Sequence, residues 1–268
     1  MPSLFAHIQL VKDLIEENPK LFAHSDLKYL SQGAIFPDIH FITDVRTLTN
    51  KPNFSTFILE HDIEYIYGKS LLDNAQNKQE RLFALGVISH LILDKHVHNY
   101  FKEKGFYNNV LHVVSEYYLE TKFPNYKIPL PKFPLKLVKI CFKKTYPKYY
   151  DTYKNRIKVS IAGIVFFQFA NRFIITRIIN ARYRKDNYKK RLALYEIPFK
   201  LAKSEKYKKM GYDFTPFLNP DTKVRDEHLD NMMKCYKYAK KEFTDFVMDY
   251  ELNVPDYTTK QTEIRDFI

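Results

Sequence analysis

The sequence predicts an all-α protein. Glycine is scarce, at 6 of 268 residues, which leaves little material for the tight turns of a β architecture. Apolar residues recur at the helical period of 3.6 over long stretches. The chain is 45% hydrophobic, enough for one large core or two modest ones.

The elements follow in order. Residues 3–18 read as an amphipathic helix with the stripe Leu4, Ile8, Val11 and Ile15, and His7 beside it. Pro2 suits a first helical turn, and Asn18 with Pro19 ends the helix. A second short helix is expected over 21–31. The segment QGAIFPDIHFITD, residues 32–44, is expected to be a loop, because Gly33 and Pro37 punctuate it. Its apolar neighbours Ile35, Phe36, Ile39 and Phe41 turn Asp38 inward, the alternative being a helix N-cap or turn aspartate. After a polar loop at 45–53, Phe54 to Leu72 reads as one helix carrying His61, which alone would be a core histidine. A turn at 73–77 leads into a long helix from Lys78 to Lys104, stopped by Gly105. A further helix over 107–121 carries His112 and Glu116. Four prolines exclude helix from 124–134. Residues 135–146 are basic and amphipathic. Within 150–183, the run VSIAGIVFFQFA is about a dozen residues long against the ~20 that span a bilayer, so a buried helix is expected. Residues 183–212 are Lys- and Tyr-rich and helical in parts, 214–221 form a loop, and 225–251 make a last helix.

Chemistry concentrates in RLFALGVISHLILDKHVHNY, residues 81–100. His90, Asp94 and His98 are spaced by four and share one helical face. A lone histidine there would be a satisfied core residue. Three ligand-type residues on one face of a greasy helix point to metal, because a buried carboxylate or imidazole is costly unless paired or coordinated. With His7, Asp38, His61, His112 and Glu116, eight ligand-type residues fall in the first 116. Five imidazoles and three carboxylates exceed one tetrahedral zinc and suit two or three ions with a bridging carboxylate. His96 points off the ligand face. Cys141 and Cys235 form no disulfide framework or Cys-x2-Cys pair, and there is no phosphate-binding glycine loop, nucleophile elbow or dinucleotide fingerprint.

The order of these residues resembles the bacterial zinc-dependent phospholipases C and the related zinc nucleases of single-stranded nucleic acid. His7, Asp38 in GAIFPD, His61, His90 and Asp94 in HLILD, His98, then His112 and Glu116 in HVVSE match the family's ligands in order over about residues 1–120. The resemblance implies a multi-helix bundle around zinc. One site would use His61, His90, Asp94 and Asp38, and a second His98, His112 and Glu116. A third would use His7 with Asp94 as bridge, completed in secreted members by an N-terminal tryptophan, and this chain contains no tryptophan. A single domain over 1–268 is expected, with a metal-binding core at 1–121, a basic helical insertion at 122–212 and a C-terminal helical part at 213–268.

The expected activity is zinc-dependent phosphodiester hydrolysis of phospholipase C type, in which metal-activated water attacks a phospholipid or related phosphodiester. Asp38 is the candidate for positioning or deprotonating that water, or is a plain ligand. A single-strand nuclease and a non-catalytic metal-stabilised binding protein are the alternatives. Residues 122–209 hold 24 Lys and Arg against 4 Asp and Glu. That segment either faces phosphates, of an anionic membrane or a nucleic acid, or is a solvated Lys-rich surface. The N-terminal sequence lacks the features of a signal peptide and no segment is long enough to span a membrane. A cytoplasmic location with peripheral membrane contact is therefore expected.

Overall fold

The computed structural model describes residues 4–43, 57–58, 65–103, 119, 123, 133–154 and 223–253. These residues hold six long helices and no strand: α1 (Leu4–Glu17), α2 (Leu27–Thr43), α3 (Ile66–Asp73), α4 (Lys78–Glu103), α5 (Leu135–Thr145) and α6 (Lys223–Asn253). Short 3-10 turns lie at His24–Asp26 and Pro147–Tyr149. The all-α expectation holds. So do the expected bounds of α1, α4, α5 and α6, to within two residues.

Helix α4 is the axis of the assembly. Every residue from Leu82 to Asp94 is buried, as expected of a helix that is apolar on all sides. It packs against α1, α2, α3 and α6. Its start is fixed locally: Asn77 Oδ1 accepts from the Glu80 N–H at 2.9 Å, and Glu80 Oε2 accepts from the Gln76 N–H at 2.8 Å. Lys78 pairs with Asp26 at 2.8 Å and so ties the start of α4 to the turn before α2. At the other side of the bundle, Asp13 of α1 accepts from the Tyr236 hydroxyl of α6 at 3.0 Å, while Lys240 pairs with both Asp13 and Glu17.

The expected loop at 32–44 is instead the greater part of α2, with Pro37 inside the helix. Proline removes the bond to the Gly33 carbonyl, and glycine costs a helix about 1 kcal/mol relative to alanine. Both penalties are overridden by packing, since residues 31–38 are all buried. Gly33 serves as a contact point and not as a breaker. A Cβ on Gly33 would stand 1.9 Å from the Phe83 carbonyl oxygen, and one on Gly86 would stand 2.1 Å from that of Leu30. Helices α2 and α4 therefore cross backbone to backbone. Phe36 packs edge-on against Phe83 and Phe133 beside this crossing, with ring centroids 5.2 and 5.0 Å away.

The single helix expected from Phe54 to Leu72 is also corrected. Tyr65 has φ of 58°, in the left-handed region, and α3 starts only at Ile66. A non-glycine residue there costs roughly 1–2 kcal/mol and persists where its surroundings hold it. Here the Tyr65 hydroxyl donates to Glu242 Oε1 at 2.7 Å, and the Lys95 ammonium lies over its ring, 5.4 Å from the centroid. Glu242 of α6 also accepts from Lys95 at 2.9 Å and from His96 Nε2 at 2.7 Å. Burial would raise the Glu242 carboxyl, but the hydrogen bonds from Lys95, Tyr65 and His96 outweigh it and hold it below the usual glutamate value. The helices expected at 107–121 and within 150–183, the Lys/Tyr-rich stretch and the loops at 45–53 and 214–221 lie wholly or largely outside the described residues.

Two predictions follow from these contacts. Gly33→Ala or Gly86→Ala forces two backbones apart and is expected to destabilise by at least about 2 kcal/mol, read by urea unfolding. Glu242→Ala should cost about 1–2 kcal/mol, because it strips three donors of one charged acceptor at a half-exposed site. Since the Glu242 carboxyl is held low in the folded state, its contribution is complete above its unfolded value and is lost as pH falls through the folded one. Glu242→Gln should therefore flatten the acid side of the stability profile.

Candidate metal centre

Three helices deliver the polar core. His7 comes from α1, Asp38 from α2, and His90, Asp94 and His98 from successive turns of α4. The crossing at Gly33 and Gly86 sets the register between α2 and α4. Ala34 follows Gly33 directly, and its carbonyl oxygen lies 2.7 Å from His90 Nδ1. That carbonyl can only accept, so His90 carries its proton on Nδ1 and turns Nε2 toward the carboxylates. An outer hydrogen bond of this kind orients a metal-binding imidazole and fixes its tautomer.

Asp94 lies among three rings. Its Oδ1 is 3.3 Å from His7 Nε2, and its Oδ2 is 3.1 Å from His90 Nε2 and 3.9 Å from His98 Nε2. Asp38 completes the group, with Oδ1 3.8 Å from His90 Nε2 and Oδ2 4.0 Å from His7 Nε2. The His7 and His90 rings stack face to face, centroids 3.9 Å apart and 14° from parallel. His7, Asp38, His90 and Asp94 are all buried, and His98 sits at the edge with 17% of its side chain exposed.

The electrostatics match this crowding. Burial lowers the His7 pKa and the neighbouring His90 lowers it further, against the pull of Asp94 and Asp38. Burial also opposes charge on His90, but Asp94 and Asp38 overcome it and raise its pKa to about 9. Two stacked imidazoles cannot both be charged at little cost, so the proton belongs to His90. Burial would raise the Asp94 pKa, yet the charges of His90 and His98 and the close approach of the His7 and His90 rings take it well below the usual aspartate value.

Despite this proximity, the donors are poorly satisfied by one another. His7 Nδ1, Asp38 Oδ2 and His90 Nε2 are buried without a hydrogen-bond partner. His90 Nε2 is close to Asp94 Oδ2 but out of line for a hydrogen bond. Buried polar atoms are nearly always paired, and several orphans around one point fit a cation. Ligand atoms of His7, Asp38 and His90 all lie within 4.8 Å of one another. Donors on a tetrahedral ion with bonds of ~2.1 Å sit roughly 3.4 Å apart, and the imidazole–carboxylate separations bracket that value. Imidazole nitrogen with carboxylate oxygen is a donor set that zinc takes readily. The residues present fit the ion.

The structure thus brings together five of the eight residues singled out in the sequence: His7, Asp38, His90, Asp94 and His98. His61, His112 and Glu116 lie outside the described residues. The resemblance puts His7 and His90 on different ions, and here their rings are in direct contact. His96 points away from the cluster, to Glu242. What sequence reasoning missed is the supporting structure: the Ala34 carbonyl, the two crossing glycines and Glu242. Gly33 and Gly86, two of only six glycines, each inside an apolar run, were the available signal for the crossing. No local pattern marks Glu242.

A helical bundle with a buried His/Asp cluster between its helices is the class of protein that this fold and site define. The family model of zinc-dependent phospholipase C matches residues 6–168. The chain belongs to that family. Comparison with curated proteins and with solved structures gave no match. The matched segment contains all eight candidate residues, and it ends before α6, which supplies Glu242, Asp13's partner Tyr236 and Lys240.

Removing one partner of a buried charge pair leaves the other uncompensated. Asp94→Asn is accordingly expected to destabilise the zinc-stripped protein by about 3–5 kcal/mol, measured by urea unfolding at neutral pH. The Asp94 contribution is present above its unfolded pKa of about 3.8 and disappears as pH falls through its lower folded value. The difference between native and Asp94→Asn proteins should therefore shrink in strong acid.

Proposed function

We propose that the chain is a zinc-dependent phosphodiester hydrolase of phospholipase C type, acting on a phospholipid or a related phosphodiester. The observation that carries this reading is the buried group His7, Asp38, His90 and Asp94 between three helices, in which ligand atoms of His7, Asp38 and His90 lie within 4.8 Å of one another and three buried polar atoms lack a hydrogen-bond partner. Family membership supports the same reading. When bound, zinc supplies a Lewis acid that makes water acidic near neutral pH and offsets charge on phosphodiester oxygens.

The residues divide the work. His90 offers Nε2, held in orientation by the Ala34 carbonyl through Nδ1. Asp94 would be shared between ions, since its two oxygens face imidazoles from both α1 and α4. His7 and His98, which both face Asp94, would add imidazole ligands. Asp38 would hold an ion through one oxygen and leave the other, Oδ2, which is buried and without a hydrogen-bond donor, to accept the proton of an attacking water. His61, His112 and Glu116 would supply the remaining ligands for two or three zinc ions in this proposal. The burial of the cluster excludes bulk water and strengthens each charge interaction within it.

Elemental analysis and turnover on one zinc-loaded sample test the proposal. Two or three zinc ions per chain are expected, together with release of phosphorylated headgroup from phospholipid in mixed micelles. Asp38→Asn should lower kcat by at least about 10²-fold, the range of a lost general base. Less than one zinc per chain would remove the cluster. Zinc-loaded protein that cuts single-stranded oligonucleotides but no phospholipid would make the chain a nuclease. Absence of any phosphodiester turnover would leave a metal-stabilised binding protein.

A further inference from the structure

Helix α5 presents a surface that the metal centre does not use. It is split along its length. Leu137, Val138, Cys141 and Phe142 are buried, while Lys136, Ile140, Lys143 and Lys144 are exposed and Lys139 is half-buried beside them. At ~100° per residue, the four lysines and Ile140 fall within an arc of roughly 140°, opposite the buried side chains. Lys148, in the following 3-10 turn, is also exposed. Residues 133–150 contain five lysines and no carboxylate. Ile140 stands in the middle of this basic face, 51% exposed. Helix α3, which packs against α5, adds Ile66 at 50% exposure and the exposed Lys69.

We propose that the outer face of α5, with Ile66 and Lys69 of α3, docks the protein onto an anionic phospholipid surface. Charge complementarity names the partner. The lysines outnumber the carboxylates beside them, the exposed Asp73 of α3 and Asp151, which pairs with Lys154, and clustered lysines are drawn to the negative leaflet at about 1 kcal/mol each near the surface. The exposed isoleucines separate a bilayer from the other polyanion, nucleic acid. Tyr149, 43% exposed, and Tyr150, whose ring lies under the Lys143 ammonium, adjoin the face and suit a membrane interface as well as a base, but phosphate tracking along a strand has no use for two exposed isoleucines. In a bilayer, by contrast, the side chain enters the acyl boundary while the lysine stems reach back to the headgroups. The face also connects to the cluster. Phe133, two residues before α5, packs on Phe36, which lies two residues before Asp38. Docking therefore engages an element braced against the helix that carries Asp38.

Vesicle co-sedimentation of the full chain tests this without any turnover, so its failure leaves the hydrolase reading standing, and failure of that reading leaves this one standing. Vesicles of neutral phosphatidylcholine are compared with vesicles containing 30% phosphatidylserine by composition, the fraction being about that at which leaflet charge is strong. Binding to the anionic vesicles is expected to be at least about tenfold tighter and to weaken as salt rises. Lys136→Gln/Lys143→Gln/Lys144→Gln should weaken it roughly a hundredfold, at about fivefold per lysine. Ile140→Ala should weaken it several-fold at both low and high salt, as lost apolar contact does. The exposed pair Lys234→Gln/Lys237→Gln on α6 should change binding less than about twofold, which controls for net charge. All the substituted positions are solvent-facing, so an unchanged thermal melt confirms that the variants fold. Equal binding to neutral and anionic vesicles overturns the proposal. Equal loss from the α5 and α6 lysine variants overturns it as well. So does an Ile140→Ala protein that binds like the native one while the triple variant loses affinity for single-stranded oligonucleotide, which would make the face a nucleic-acid surface.

Discussion

The close approach of α2 and α4 at Gly33 and Gly86 is the contact on which the rest of the structure depends. Neither position has room for a methyl group, so the two backbones touch directly. That proximity places the Ala34 carbonyl within hydrogen-bonding range of His90 Nδ1, and it places Asp38, one turn further along α2, opposite His90 Nε2. A few tenths of an ångström gained between the helices would loosen both. The glycines are the least reactive residues near the centre, and they set its dimensions.

Around that crossing the chain accepts an expensive arrangement. Two carboxylates and two imidazoles are buried together, a third imidazole stands at the edge, and several donor atoms lack a partner. Burying ion pairs often stabilises a protein less than well-packed hydrophobic residues of the same volume would. Stability therefore does not explain why α4, otherwise apolar from Leu82 to Leu93, carries His90 and Asp94. Chemistry does. The same low-dielectric surroundings that make the orphaned atoms costly would strengthen their hold on a cation.

Helix α4 works on two faces. Its inner face carries His90, Asp94 and His98. Its outer face offers Lys95 and His96 to Glu242, whose third donor is the left-handed Tyr65. One carboxylate thus joins α6, the ligand helix and the start of α3. Because α6 lies beyond the segment matched by the family model, the frame that holds the cluster extends past that segment. The basic face of α5 lies at the periphery of the same frame, reached through Phe133 and Phe36.

Much of this was legible in the sequence, and for a local reason. Helix class, the bounds of α1, α4, α5 and α6, and the common face of His90, Asp94 and His98 depend on 3.6-residue periodicity, which neighbouring residues determine among themselves. Five of the candidates, His7, Asp38, His90, Asp94 and His98, could be singled out because ligand-type residues stand out on apolar faces, and the structure brings these five together. Residues 32–44 misled because Gly33 and Pro37 are breakers by local propensity. Only burial against α4 decides that the helix runs through them. The break at Tyr65 depends on Glu242, 177 residues away, and the grip on His96 spans 146. The sequence by itself determined α1, α4, α5 and α6 and the residue types they could bring to a site. The tertiary structure alone decided which imidazoles meet, which nitrogen of His90 faces the carboxylates and how closely two backbones approach, because these follow from packing between segments that are remote in the chain.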